Sequence, residues 1–320
     1  MKGQVAFVAS PGGHIDEAFE IAHRFASRVE RWWITARTSQ TETLLSGERA
    51  EWVPLVSARQ AGRAAASLGR ALRLLRARRP RLLVSTGAAL TVPYMLAARS
   101  LGIPVTYVES ATRLTGPSQT GRIAQIVRGI DLRHQSAHWR PRGWAPEPSV
   151  FDEFAVEDVP RRPLSRVLVT LGTEQFPFPR ALDAARPALD GMDVAWQTGH
   201  TPGLRLAGDA RPWWSAADLG ERARTSDAII THAGVGSILM ALRAGICPVV
   251  IPRLHSRAEH VDDHQLELAA ALHARRLVVL AAPGDELAGA LATATARRVS
   301  RAPDPAPEVE DESHQQNTHE

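Results

Sequence analysis

The chain has 320 residues, 44% hydrophobic and 22% charged, the make-up of a folded globular protein with room for two domains. A single cysteine, Cys247, excludes an intrachain disulfide and a cysteine-built zinc site, and favours a reducing compartment. The net charge of +4 hides an asymmetry: residues 301–320 carry six acids against Arg301 alone, which leaves a net +9 on the first 300 residues. Every base but Lys2 is an arginine. A body this basic points to a polyanionic partner such as a nucleotide or a phospholipid surface. Nucleic acid is disfavoured, because aromatics reach only 5% and no nucleic-acid motif is present. No run approaches the ~20 apolar residues of a membrane span. The first residues enter a strand-like run without a signal peptide's apolar core, so a cytoplasmic protein is expected.

In chain order, strand-like segments fall at 4–9, 32–35, 52–56, 82–86 and 104–108, with helical patterns at 14–27, 58–79 and 91–101. The pattern repeats in the second half, with strands at 166–171, 193–197, 228–231, 248–251 and 277–280. Helices are expected there at 179–189, 216–225, 236–244, 260–274 and 284–297. Apolar strands spaced by amphipathic helices predict two α/β domains with doubly wound parallel sheets. The proline- and charge-rich stretch 140–165 divides them. The expected organisation is a domain over 1–145, a linker over 146–164, a domain over 165–300 and a disordered acidic tail over 301–320. Two such domains leave a cleft at the carboxyl ends of their strands, where ligands bind.

The chemistry-bearing segments sit just after strands. Ser10-Pro11-Gly12-Gly13-His14 follows the first strand and opens a helix, so its glycines permit a tight turn and a close ligand approach. It is not a dinucleotide fingerprint. His14, at the helix start, is a plausible general base. Gly172 and Thr173 form the equivalent turn of the second domain. His232-Ala233-Gly234-Val235-Gly236-Ser237 exposes several amides at a helix N-terminus, with His232 and Ser237 adding side-chain donors, a cradle suited to a diphosphate. Glu259-His260-Val261-Asp262-Asp263-His264-Gln265 has three readings: the acidic first turn of a helix, a metal site through His260 and His264, or a polar row for a sugar's hydroxyls.

The segments HAGVGS, LRAGICPVVIPR and EHVDDHQ together resemble the donor half of GT-B glycosyltransferases. They are most similar to the small subunit of the UDP-GlcNAc transferase that places the second sugar on dolichol-pyrophosphate GlcNAc. SPGGH (10–14), STGAALTVP (85–93) and YVESATRLTGPSQTGRI (107–123), followed by Gln135 and Trp139, resemble the membrane-recruiting subunit of that enzyme. The chain looks like a single-chain fusion of the two over roughly residues 4–280, related to the peptidoglycan lipid-intermediate transferase and to exopolysaccharide transferases. The resemblance implies a GT-B fold of two Rossmann-like domains facing a cleft. It implies a donor site in which Gly172 and Thr173 serve the nucleotide, and His232, Gly234 and Ser237 the diphosphate. Asp262, His264 and Gln265 would face the sugar, while Gly12, Gly13 and His14 face the acceptor. One departure is Met240, which stands where many UDP-sugar transferases carry a ribose-binding carboxylate.

The expected activity is inverting, metal-independent transfer of a hexose-type sugar from a UDP-sugar to a hydroxyl of a lipid-linked acceptor at the cytoplasmic membrane face. No cofactor is expected. His14 is the first choice of base, with Asp16 and Glu109 as rivals; Glu109 also has a structural reading, paired with Arg113 four residues on. A UDP-sugar 2-epimerase of the same fold and a non-catalytic membrane-recruiting scaffold are the alternatives. The 58–79 helix places Arg59, Arg63, Arg70 and Arg73 on one face, an expected contact with an anionic membrane. A homo-oligomer is compatible with the sequence.

Overall fold

The computed structural model describes residues 4–24, 30–55, 61–202, 205–281 and 287–302, with side chains described from 66 onward in the helix that begins at 61. The ends of the helices expected at 14–27, 58–79 and 284–297, and the tail from 303, lie outside these residues, as do Arg59 and the side chain of Arg63.

The first half runs β1 (Val5–Val8), α1 (Gly13–Arg24), β2 (Arg31–Thr35), α2 (Ser39–Leu44), β3 (Ala50–Trp52), α3 (Ala61–Arg78), β4 (Leu82–Ser85), α4 (Val92–Ser100), β5 (Val105–Val108), α5 (Gln119–Ile126), β6 (Ile130–His134) and β7 (Ala145–Pro146). Its seven strands form one parallel sheet in the order β3-β2-β1-β4-β5-β6-β7. Every residue of β1 is buried, as a parallel strand covered on both faces requires. The apolar side of α3 belongs to this core: Ala71 and Leu75 are fully buried, with Leu68 and Leu72 packed behind them. Arg70 and Arg73 point outward.

The second half runs β8 (Phe154–Asp158), β9 (Arg166–Thr170), α6 (Pro179–Ala188), β10 (Asp193–Gln197), β11 (Asp209–Arg211), α7 (Ala216–Thr225), β12 (Ala228–Thr231), α8 (Val235–Arg243), β13 (Val249–Val250), α9 (His264–Ala274), β14 (Val279–Leu280), α10 (Leu287–Thr295) and β15 (Arg297–Arg301). Six of its strands make a second parallel sheet in the order β11-β10-β9-β12-β13-β14. The remaining two, β8 and β15, pair antiparallel. Thus the stretch expected to be a linker contains a strand, and the chain returns to it after α10. The helix expected from 260 starts instead at His264. Residues 260–263 precede the helix, with Asp263 at its N-cap and the Asp263 carboxylate accepting from the His255 backbone N–H at 2.9 Å, so the acids of the segment flank the helix start and Glu267 is the acid of its first turn.

Both sheets reverse direction between their first and fourth strands, β1 to β4 and β9 to β12. The loops after those strands therefore face one cleft, and the glycine-bearing turns occupy them. The halves meet where α1 packs on α8, within an apolar core that joins Ile15 and Ala18 to Val235, Ile238 and Leu239. Arg243, at the end of α8, reaches back to α1. Its Nε donates to Glu20 Oε1 at 2.6 Å and its Nη1 to Asp16 Oδ1 at 3.0 Å. Glu20 is fully buried and also accepts from Arg301 of β15 at 2.9 Å.

Two more buried carboxylates shape the first-domain wall. Glu109 accepts from the Tyr107 and Ser118 hydroxyls and from the Ser110 and Ser118 backbone N–H groups, which pins the 110–118 loop. Glu17 accepts from Ser110 Oγ at 2.6 Å and from Ala111 N and Gln135 Nε2 at 3.0 Å. Burial dominates the Glu17 environment and, with the Glu109 charge adding to it, pushes its pKa up to about 7 against these three donors.

Truncating Arg243 to alanine leaves the buried Asp16 with Gln40 alone and the buried Glu20 with Arg301 alone, so denaturant unfolding of Arg243→Ala is expected to lose about 3 kcal/mol. A loss below about 1 kcal/mol would mean that the apolar α1–α8 contact alone joins the halves. Because the Glu17 pKa is raised on folding, its protonated form stabilises the fold below the usual carboxylate range, and that stability is lost as pH rises through about 7. Between pH 5 and 8, wild type is expected to lose ~2 kcal/mol relative to Glu17→Gln. Parallel pH profiles for the two proteins would refute this.

Candidate functional site

A cleft of about 1360 Å³ opens between the sheets and is lined by the turns after β1, β9 and β12. On its floor the two helix N-termini nearly touch. A methyl group on Gly13 would meet Val235 Cβ at 3.4 Å, and one on Gly236 would meet Asp16 Oδ2 at 2.6 Å. At Gly13 that is ordinary contact distance, whereas at Gly236 a methyl group would displace the Asp16 carboxylate, so the close approach calls for glycine at Gly236. Gly12 has φ +95° and is pinned by Gln40 of α2, whose Oε1 accepts from Gly12 N at 2.7 Å and whose Nε2 donates to Asp16 at 2.7 Å.

His14 lies in the first turn of α1. Its Nδ1 is 2.8 Å from the Thr86 carbonyl, and a carbonyl only accepts, so Nδ1 carries the proton. In the neutral ring Nε2 then keeps its lone pair. Burial lowers the His14 pKa, the Thr86 contact opposes this, and the Arg113 charge lowers it further, so the neutral ring persists at neutral pH. The rival carboxylates are committed elsewhere. Asp16 is bonded to Arg243 and Gln40, and Glu109 to four donors on its own wall. Arg113 does not pair with Glu109 as its spacing suggested. It crosses the cleft to Asp262 at 3.4 Å, because the Glu109 oxygens are already filled.

On the opposite wall, α8 begins at Gly234 without a side-chain cap, so the first-turn amides of Val235, Gly236 and Ser237 are open to an anion. Ala233 is fully buried beneath them. The His232 ring packs against Gly172 and Gly234, and a methyl group on either would overlap it; Gly172 also has φ +71°. Burial, then the nearby Arg253 charge, pushes the His232 pKa down to about 3. His232 is therefore a neutral wedge that shapes the turn, and the fixed charge behind the site is Arg253. That guanidinium is buried against the Phe178 ring and donates to the carbonyls of Leu171, Phe176 and Glu259. Thr173 is exposed at the rim.

The polar row closes the far side. Asp262 bonds His264, lies 3.2 Å from His260 Nδ1, and receives Arg113 through its other oxygen. Gln265 is buried, its Oε1 accepting from the Arg253 backbone N–H at 3.3 Å. His260, Asp262 and His264 bring ligand-type atoms within 4.8 Å of one another, so the metal reading of this segment keeps a geometric basis beside the sugar reading. Burial holds the His264 pKa down, to about 4, against the Asp262 charge. Of the predicted donor residues, Gly172, Thr173, His232, Ala233, Gly234, Gly236, Ser237, Asp262, His264 and Gln265 all line this one cleft, with Gly12, Gly13, His14 and Asp16 facing them. Glu109 stands behind the wall. Gln40 and Glu17 carried no signal in the sequence, whereas Arg243 and Arg253 are the two arginines of the LRAGICPVVIPR segment, Arg253 in the loop after β13.

Residues 216–316 match the glycosyltransferase family 28 C-terminal domain. A UDP-N-acetylglucosamine–N-acetylmuramyl-(pentapeptide) pyrophosphoryl-undecaprenol N-acetylglucosamine transferase of Sorangium cellulosum is 29% identical over 272 residues, which cover 75% of this chain and 62% of that protein. The chain thus spans less than two thirds of that relative. The transferase of the same name from Alcanivorax borkumensis is 27% identical, over 83% of this chain and 81% of its own. In three dimensions the chain resembles the glycosyltransferase SnogD from Streptomyces nogalater, with a TM-score of 0.58, 20% identity and 92% of each chain covered. It resembles Acinetobacter baumannii MurG with a TM-score of 0.54, 18% identity, and 90% of this chain and 88% of that one covered. A UDP-N-acetylglucosamine 2-epimerase superposes with a TM-score of 0.50 at 15% identity, covering 91% of this chain and 85% of its own. At such identities the superpositions establish the fold, which is GT-B. Fold and matches together show a GT-B arrangement of two Rossmann-like domains about a cleft, the second similar over residues 216–316 to the glycosyltransferase family 28 C-terminal domain.

Proposed function

We propose that the chain is an inverting glycosyltransferase that moves a hexose-type sugar from a UDP-sugar to a hydroxyl of a lipid-linked saccharide, without a metal ion. The observation that carries the reading is the confrontation of His14 with the uncapped α8 N-terminus across the cleft. His14 Nε2 takes the proton of the acceptor hydroxyl, whose oxygen attacks the anomeric carbon as the bond to the diphosphate breaks. The leaving diphosphate gathers charge where the α8 amides and Ser237 stand, with the buried Arg253 cation behind them, and such preorganised stabilisation is usually the largest catalytic term. Asp262, His264 and Gln265 meet the hexose hydroxyls. The named relatives act on a UDP-sugar and a lipid-linked acceptor, which supports the same substrate classes here. The motif order supports the reading of both transferase halves on one chain.

A lipid-linked acceptor would be met at a membrane, and the proposed location is its cytoplasmic face. Among the described residues no helix is long and apolar enough to cross a membrane, and the proposed contact is a peripheral one. Since the apolar side of α3 is used by the core, Arg70 and Arg73 contribute charge alone. Apolar anchors come from the neighbouring α4 and α5, where Leu96 and Ile123 are exposed and Ile126 is 80% exposed, with Arg99, Arg122 and Arg128 around them. Arginines near an anionic surface contribute ~1 kcal/mol each, which gives reversible attachment.

Purified protein screened against UDP-sugars is expected to gain thermal stability with its donor. Transfer to a lipid-linked saccharide is expected to persist in excess chelator. His14→Ala is expected to lower turnover ~10²-fold or more while UDP affinity holds. Full turnover in His14→Ala would remove the base assignment. Acceptor-free conversion of the UDP-sugar to its epimer would favour the epimerase, and absence of nucleotide binding the scaffold. Co-sedimentation with anionic vesicles is expected to fall at high salt and in Arg70→Glu/Arg73→Glu, and further in Ile126→Glu. Equal, salt-insensitive binding by all three proteins would move the membrane contact to another surface.

A further inference from the structure

From the α8 N-terminus the cleft runs in two directions of opposite chemistry. One leads to the polar row of Asp262, His264 and Gln265. The other follows α7 past Trp213, Trp214, Leu219 and Ala223, and takes in Gln197 and Arg224, which are already bonded within the protein to Thr170, to the Trp214 backbone N–H and to Glu221. A nucleoside diphosphate seated on α8 therefore has a polar side suited to hexose hydroxyls and a mainly aromatic, apolar side suited to its base and pentose. Trp213 is 49% exposed there. Met240 stands three residues after Ser237, so α8 presents both on one face, toward the apolar side. Its side chain packs on the cluster of Leu168, Ala223, Ile229, Ala241 and Ile246.

Four carboxylates line the cleft among the described residues: Asp16, Glu17, Glu174 and Asp262. Asp16 is held by Arg243 and Gln40, Glu17 by Ser110, Ala111 and Gln135, and Asp262 by Arg113 and His264. Glu174 belongs to the exposed loop after β9 rather than to α7 or α8. No acid of α7 or α8 lines the cleft. A pentose hydroxyl beside Met240 gives up water for a thioether, which is a weak acceptor, and an unpartnered hydroxyl costs affinity on burial. A pentose without that hydroxyl gives up nothing.

We infer that the donor site does not read the nucleotide's pentose hydroxyls, with Met240 as the residue responsible, and that it therefore takes 2′-deoxynucleoside diphosphate sugars as well as ribonucleoside ones. This rests on the nucleotide-sugar reading of the cleft. Calorimetric titration of the full chain with UDP and with dUDP tests it. Wild type is expected to bind the two within ~3-fold of each other. Met240→Glu, which supplies a charged acceptor, is expected to favour UDP by ~10-fold or more, and Met240→Gln by less. The glutamine variant carries the test if the glutamate variant melts early without ligand. A wild-type preference for UDP of ~10-fold or more would overturn the inference, and its loss in Glu174→Gln would name the residue that reads the hydroxyl. An unchanged ratio in both Met240 variants would overturn the role of Met240. Failure of both nucleotides to bind would overturn the donor reading itself, and this inference with it.

Discussion

Asp16 stands where two helix N-termini converge, and the rest of the molecule is arranged around that meeting. Each helix end carries partial positive charge from its unpaired amides, so bringing two together is unfavourable unless an anion lies between them. Asp16 supplies one of the negative charges, in the first turn of α1 and against Gly236 of α8. It is itself balanced by Arg243 from the far end of α8. The feature that joins the two halves is thus also the one that leaves uncapped helix amides of α8 facing the cleft.

The electrostatics of the site are less obvious than the arginine-rich composition suggests. His232 offers no positive charge in its buried position, and neither does His264 at neutral pH. Fixed charge comes from Arg253, which burial lowers only to about 10 and which therefore stays protonated. Its guanidinium spends its hydrogen bonds on backbone carbonyls, leaving its charge uncancelled by any directly bonded carboxylate. A cation so placed polarises the site without competing for the ligand's oxygens.

Much of this was readable from the sequence because it is local. Glycine-bearing turns follow strands at fixed offsets, and the apolar runs of β1, β4, β9 and β12 give the two sheets directly. What escaped was short or remote. β15 reads Arg-Arg-Val-Ser-Arg with only Val299 buried, too little for period two to stand out, and its pairing with β8 links residues ~140 apart in the chain. β6, β7, β11, α2 and α5 are likewise brief or mixed in character. The partners of Asp16 lie 24 and 227 positions away, at Gln40 and Arg243, and no periodicity reports such a pairing. Arg113 shows the reverse error, since a helix-like spacing to Glu109 implied a contact that a loop and a filled carboxylate do not permit.

The two flanks of the cleft are tied differently from its floor. On one side the Ala216 backbone N–H donates to Ser39 Oγ at 2.7 Å, and on the other Arg113 meets Asp262 and Thr115 meets Glu267 at 3.5 Å. These are single, partly solvated contacts, each of small net strength. The floor, by contrast, is packed hydrocarbon reinforced by a buried ion cluster. Unfastening a flank therefore costs far less than separating α1 from α8. Any separation of the halves would therefore begin at a flank and pivot on the floor, like a book opening on its spine, and would disturb His14 and the α8 amides least because both lie close to that spine.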